Sequence, residues 1–179
     1  RVLFRSEADA ENLPFADASF DAVLSVFGVM FTPNQEQSAS ELLRVCRPGG
    51  VIALANWTPE SFIGHVFRTI GRYVPPPAGV KSPALWGSEA RLRELFGNGI
   101  SALRAERRTY TFRYRSAAHF VEVFRAWYGP VHKAFAALPV DSAAALESDL
   151  TELLNRMNRA GDSALVVPSE YLEIVIARS

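Results

Sequence analysis

Residues 21–55 read DAVLSVFGVMFTPNQEQSASELLRVCRPGGVIALA, and this stretch decides the fold. Asp21 to Phe27 is a nearly continuous apolar run with β-branched members, the pattern of a strand covered on both faces in a parallel sheet. Gly28 lets the backbone leave the sheet. Thr32-Pro33 with Gln35 then reads as a helix start, with Thr32 as N-cap, Pro33 at the first helical position and Gln35 closing a capping box. Ala39, Leu42, Leu43 and Cys46 recur at helical spacing and place one apolar stripe against the sheet. Pro48-Gly49-Gly50 stops the helix and turns the chain, and Val51 to Ala55 is a second buried strand. Two strands joined by a helix of this length form a right-handed βαβ unit, so the two strands run parallel.

Outward from this unit, Thr58-Pro59 opens a helix carrying Phe62, Ile63, Val66, Phe67 and Ile70, which Pro75-Pro76-Pro77 ends. The Pro- and Gly-rich stretch from there to Trp86 is a loop long enough for a lid or binding role, and Ser88 caps a short helix to about Phe96. Gly97-Asn98-Gly99 with Ala102 spells G-x-G-x-x-A. It follows a helix and precedes a strand, the reverse of a dinucleotide site, and reads as a helix stop. Ala102 to Tyr114 is a long strand whose Arg113 and Arg115 alternate with aromatics and guard an edge. Helices follow from Ser116 past Trp127, from Gly129-Pro130 to Leu138, and from about Ser142 to Ala160, before a last strand from Glu170 to Ala177. The whole reads as one α/β domain.

Composition narrows the function classes. With 49% hydrophobic residues among 179 the chain can bury a sizeable core. Nineteen Lys plus Arg balance nineteen Asp plus Glu, so there is no overall basic footprint for nucleic acid. No apolar run approaches the roughly 20 residues of a membrane span and no secretory leader is evident. The single Cys46 forms no internal disulfide, which points to a reducing, cytoplasmic setting. Arg1 to Ser6, RVLFRS, reads as the translated end of a sequencing adapter and is excluded from functional reasoning, although Val2-Leu3-Phe4 could still pair as a strand. The three histidines lack metal spacing, and no G-x-S-x-G elbow exposes Ser19 or Ser25 as a nucleophile.

One pair ahead of the first strand carries a chemical suggestion. An exposed carboxylate at Asp9 can accept a hydrogen bond from an exocyclic amine, while the small Ala10 lets its own backbone N–H approach a ring nitrogen. Together they suit the polar edge of an adenine. An Asp in an ordinary turn is the plain alternative, and the residues that follow shift the balance.

DAENLPFADASFDAVLSVFGVMF from residue 9, followed by ELLRVCRPGGVIALANW to Trp57, closely resembles the central segment of class I S-adenosylmethionine-dependent methyltransferases. The similarity is greatest to the small-molecule branch that includes ubiquinone and menaquinone biosynthesis enzymes. It implies S-adenosylmethionine as cofactor, with Asp9 on the adenine amino group, Ala10 on the ring, and Val26 and Phe27 beside the methionine part. At Val26 many relatives carry a small polar residue, so only backbone contact carries over. It also implies the C-terminal part of a doubly wound, Rossmann-like sheet, mostly parallel with an antiparallel last strand. The four strands above would be its fourth to seventh.

The glycine-rich loop and the acidic ribose ligand of that family are not found, and their place in the order is upstream of Glu7. The chain is therefore expected to be a partial methyltransferase domain. In the complete protein it would transfer a methyl group to a small, largely apolar acceptor, and this part alone would be inactive. Residues 58–100 form the acceptor-side helix and loop, with Trp57 and Trp86 as acceptor contacts, because aromatics beyond a parallel strand's carboxyl end sit where ligands bind. A catalytically silent binding or dimerisation module on the same fold is the alternative.

Overall fold

The computed structural model describes residues 6–179, so the strand reading of Val2-Leu3-Phe4 lies outside the described residues. Among the described residues four strands form one sheet: β1 (Phe20–Val26), β2 (Cys46–Trp57), β3 (Ile100–Tyr114) and β4 (Leu165–Arg178), in the order β1-β2-β4-β3. β1 and β2 are parallel, while β4 lies between β2 and β3 and runs against both. Three strands therefore share a direction and the last in sequence opposes them, giving the α/β, Rossmann-like arrangement of the methyltransferase sheet. The Gly-Gly turn is drawn into β2, where the register with β1 is irregular between Phe20 and Ala22. A side chain at Gly50 would meet Cys46 Sγ at 2.7 Å and Asp21 O at 2.9 Å, so only glycine fits there.

The helices that accompany the sheet are α1 (Gln35–Val45), α2 (Phe62–Tyr73), α3 (Glu89–Phe96), α4 (Ala117–Trp127), α5 (Gly129–Ala137) and α6 (Val140–Met157). Ser88 and Ser116 cap α3 and α4 as expected. Two starts differ. Thr32 closes a single 3-10 turn over Val29–Phe31 by donating to Val29 O at 2.8 Å. Asn34 caps α1, accepting from Gln37 N at 3.0 Å. Gln35 makes no capping box: it is fully buried, donating to Ser82 O and accepting from Arg91. Likewise Ser61, not Thr58, caps α2, accepting from Gly64 N at 3.1 Å while donating to Thr58 O.

The two faces of the sheet are unequal. On one, Ile52, Leu54, Leu172, Ile174 and Ile176 are buried beneath α1, α3 and the 3-10 turn Pro83–Gly87, together with Met30, Leu42, Trp86, Leu92 and Phe96. On the other, Leu24 is 73% exposed and Val26 71%, with Val51 and Val175 also open. The reading of β1 as covered on both faces is thus corrected: among the described residues only one face of it is packed. At the carboxyl ends of the parallel strands the open face gains a roof. There α2, α4, α5 and α6 pack on one another and on the overhanging ends of β3 and β4. Phe62 and Phe120 meet Phe112 at ring-centroid distances of 5.7 and 5.8 Å. Each fully buried ring of this kind contributes roughly 1.5–3 kcal/mol.

Candidate functional site

The loop ahead of β1 forms a tight turn at Asp9, whose carbonyl accepts from Asn12 N at 3.0 Å and whose carboxylate accepts from Glu11 N at 2.9 Å. Asp9 remains exposed. Ala10 borders a cavity of about 430 Å³ between this loop, β1 and α1, lined also by Leu13, Phe15, Val23, Ser25 and Gly28. That is the size range of a small-molecule site. Its walls are apolar, and the Ser25 hydroxyl is already engaged, accepting from Val29 N at 2.9 Å.

The chain leaves β1 abruptly. Phe27 adopts φ 51°, a left-handed conformation that is uncommon for an aromatic residue. Its N–H still donates to Ala55 O at 2.9 Å, so the ladder holds while the side chain is redirected across the end of β2. There its ring stacks on Trp57 with centroids 4.2 Å apart and planes at 15°. Tyr110, Phe112 and Tyr171 surround Trp57 at 5.8 to 6.3 Å, and Trp57 is buried at their centre.

The structure therefore joins two of the six residues singled out from the sequence, Phe27 and Trp57, and places Ala10 on the cavity. Val26 does not join them, since its side chain points to the open sheet face. Trp86, expected on the acceptor side, is fully buried under the opposite face with its ring on Phe96. Its neighbour Gly87 explains the placement: a side chain there would meet Trp57 O at 2.1 Å, so the backbones must touch and the indole turns beneath the sheet.

Two residues that the sequence reading passed over belong to this region. Phe31, still 38% exposed, lies edge-on to Phe67 at 5.9 Å and to Tyr128 at 6.4 Å. The Tyr128 hydroxyl is buried and has no hydrogen-bond partner among the described residues. Burial pushes its pKa far above the phenol range, so it stays protonated, a neutral donor at the inner side of the roof. An aromatic residue directly before the Gly129-Pro130 break was the only signal available for it.

Other candidates dissolve into structure. Arg104 and Arg108 pair with Glu106, Arg108 also with Glu173, and Arg107 with Glu170, so these three arginines of β3 are ion-paired. Among the described residues no group of three or more His, Cys, Asp or Glu is placed to hold a metal ion, and no helix is long and apolar enough to cross a membrane. Gly97, at φ 48°, ends α3 and leads into β3, as read from the sequence.

The profile of the family described as "Methyltransferase domain" matches residues 4–54, which hold the Asp9–Ala10 turn, β1, α1 and most of β2. Residues 4–54 thus carry the methyltransferase domain of that family. An uncharacterized protein of Mycobacterium tuberculosis is 42% identical over 151 residues, 82% of this chain and 55% of that protein. Demethylmenaquinone methyltransferase of Deinococcus radiodurans is 40% identical over 75 residues, 41% of this chain and 31% of that protein. In fold, the YcgJ protein of Bacillus subtilis superposes with a TM-score of 0.60 at 17% identity, covering 97% of this chain and 70% of that one. The chain spans about half the length of the curated relatives it matches.

Proposed function

We propose that the intact gene product transfers a methyl group from S-adenosylmethionine to a small, largely apolar acceptor. The observation that carries this reading is a pair of features joined through Gly28: the apolar cavity along β1, bordered by Ala10 and reaching Gly28, and the stack on Trp57 of Phe27, the residue before that glycine. The cavity suits a purine in size and in its apolar walls, and the exposed Asp9 carboxylate lies next to Ala10 in the chain. Asp9 accepts from the exocyclic amine and the Ala10 N–H donates to the ring. Val26 contributes backbone contact only.

The donor supplies a methyl group on a sulfonium centre, which leaves without further activation. What the chain supplies is alignment and exclusion of water. Phe27 and Trp57 close the end of β2 with apolar surface, α2 and α4–α6 roof it, and Phe31 and Tyr128 line the roof's edge. Tyr128, protonated across the working pH range, orients a polar atom of the acceptor and removes no proton. The buried Trp86 supports β2 from below and touches neither ligand. Balanced charge and paired arginines argue against a nucleic-acid acceptor, and the buried free Cys46 accords with a reducing, cytoplasmic setting. In this reading the glycine-rich loop and ribose-binding acid lie in the part of the longer relatives that this chain does not span. Residues 6–179 alone then bind the donor weakly or not at all.

Calorimetric titration of the intact gene product with S-adenosylmethionine and, separately, with a nicotinamide dinucleotide tests the reading. Micromolar or tighter binding of the first alone is expected, with Asp9→Ala weakening it about tenfold, or 1.4 kcal/mol. Binding of the dinucleotide instead would point to an oxidoreductase, and binding of neither to the silent module.

A further inference from the structure

Among the described residues, the loop that carries Asp9 and Ala10 is held almost without a β-ladder, since its one bridge there joins Asp9 to Asn12 within the turn itself. Its fixed points are on α1. Glu41, only 6% exposed, accepts from Leu13 N at 2.7 Å through Oε2. Arg44, one turn on, pairs with both oxygens of Glu41, Nε to Oε1 at 2.7 Å and Nη2 to Oε2 at 2.8 Å. The same guanidinium donates to Leu13 O at 2.9 Å, Phe15 O at 2.7 Å and Asp17 Oδ1 at 2.9 Å. Arg44 O in turn accepts from Ala18 N at 2.8 Å, where the chain passes through φ 55°. Nearer the turn, Glu11 Oε1 accepts from Asn34 N at 2.7 Å and Gln37 Nε2 donates to Glu11 O at 3.1 Å.

We propose that Glu41 and Arg44 form an ionic clamp that positions the donor site, setting the distance between the Asp9–Ala10 edge and the far wall of the cavity. The wall and the clamp come from the same turns of α1: Leu42 and Val45, the immediate neighbours of Glu41 and Arg44, both line the cavity that Ala10 borders. One face of the helix is thus the wall of the site and the adjacent face holds the loop opposite it. A bidentate arginine–carboxylate pair suits this task, because its geometry is fixed in two directions where a single hydrogen bond leaves a hinge. The pairing with Arg44 holds the Glu41 carboxyl below the usual carboxylate range, so the clamp stays ionised at neutral pH. This inference rests on the reading of Asp9 and Ala10 as the adenine edge.

The test is a selectivity, which loss of stability alone does not move. The intact gene product is titrated with S-adenosylhomocysteine and with the analogue whose adenine amino group is replaced by oxygen. The unsubstituted protein is expected to prefer the amino form by about tenfold or more. Glu41→Gln keeps an acceptor for Leu13 N but breaks the ion pair, and Arg44→Lys leaves the Glu41 contact but loses the fork. Each is expected to bring the preference down to about twofold, with faster hydrogen exchange at the Leu13 amide and unchanged exchange in β2. Full preference retained in either folded variant overturns the clamp and leaves the adenine reading standing. No preference in the unsubstituted protein overturns the adenine reading and the clamp with it.

Discussion

Ile174 and Val175 are neighbours on β4, yet one is fully buried and the other 42% exposed. They stand for the two faces of the sheet. The face of Ile174 is closed by α1, α3 and the 3-10 turn where the four strands run side by side, whereas the face of Val175 is roofed only where β3 and β4 overhang the carboxyl ends. The open part is apolar all the same, with Leu24, Val26, Val51 and Val175 exposed together. An apolar face left open in a chain that spans half of its relatives supports the proposal that further chain covers it in the intact gene product. Phe27 and Trp57 stack where the open face meets its roof, so the candidate site sits at the border between the covered and the open parts of that face.

The difference between the faces can be broken experimentally. The largest effect in residues 6–179 is expected from Ile174→Ala, which should cost about 2–5 kcal/mol in denaturant unfolding because it leaves a cavity in a closed core. Next is Ser169→Ala. Ser169 is on the face of Val175 but under the roof, where its hydroxyl accepts from Ile63 N at 3.2 Å in the first turn of α2. Losing that acceptor leaves a buried N–H unpaired and should cost about 1–3 kcal/mol. The smallest effect belongs to Val175→Ala, below about 1 kcal/mol, since most of what it removes is already in water. Equal costs at positions 174 and 175 would erase the distinction between the faces. A negligible cost at Ser169 would show that α2 is not seated there.

Much of this arrangement was legible in the chain itself. The βαβ unit followed from two apolar runs and one helical stripe, and the antiparallel last strand followed from the family resemblance carried by residues 9–57. Helix starts were less legible where two capping residues compete. Thr32 and Asn34 can both cap, and what selects Asn34 is the burial of Gln35 against Ser82 and Arg91, a contact between distant segments. The continuous run in β1 implied cover on both faces, but hydrophobicity states what a strand would bury, and the covering element need not lie in the same stretch. Tyr128 and the roof of α4–α6 were readable as helices only, since their meeting with α2 is tertiary. Trp86 shows the opposite failing: an aromatic beyond a strand end suggested ligand contact, and the backbone approach at Gly87 sent it into the core. The Glu41–Arg44 clamp was hidden because a charged pair at helical spacing ordinarily reads as a solvated face.

The central claim is that an adenine lies against Asp9 and Ala10, in the cavity between the loop and α1. A crystal structure of the intact gene product with S-adenosylhomocysteine tests it most directly. The exocyclic amine is expected within hydrogen-bond distance of the Asp9 carboxylate, the Ala10 N–H on a ring nitrogen, and the sulfur beside the Phe27–Trp57 pair. An adenine bound elsewhere, with the Asp9 carboxylate still turned to Glu11 alone, would contradict it.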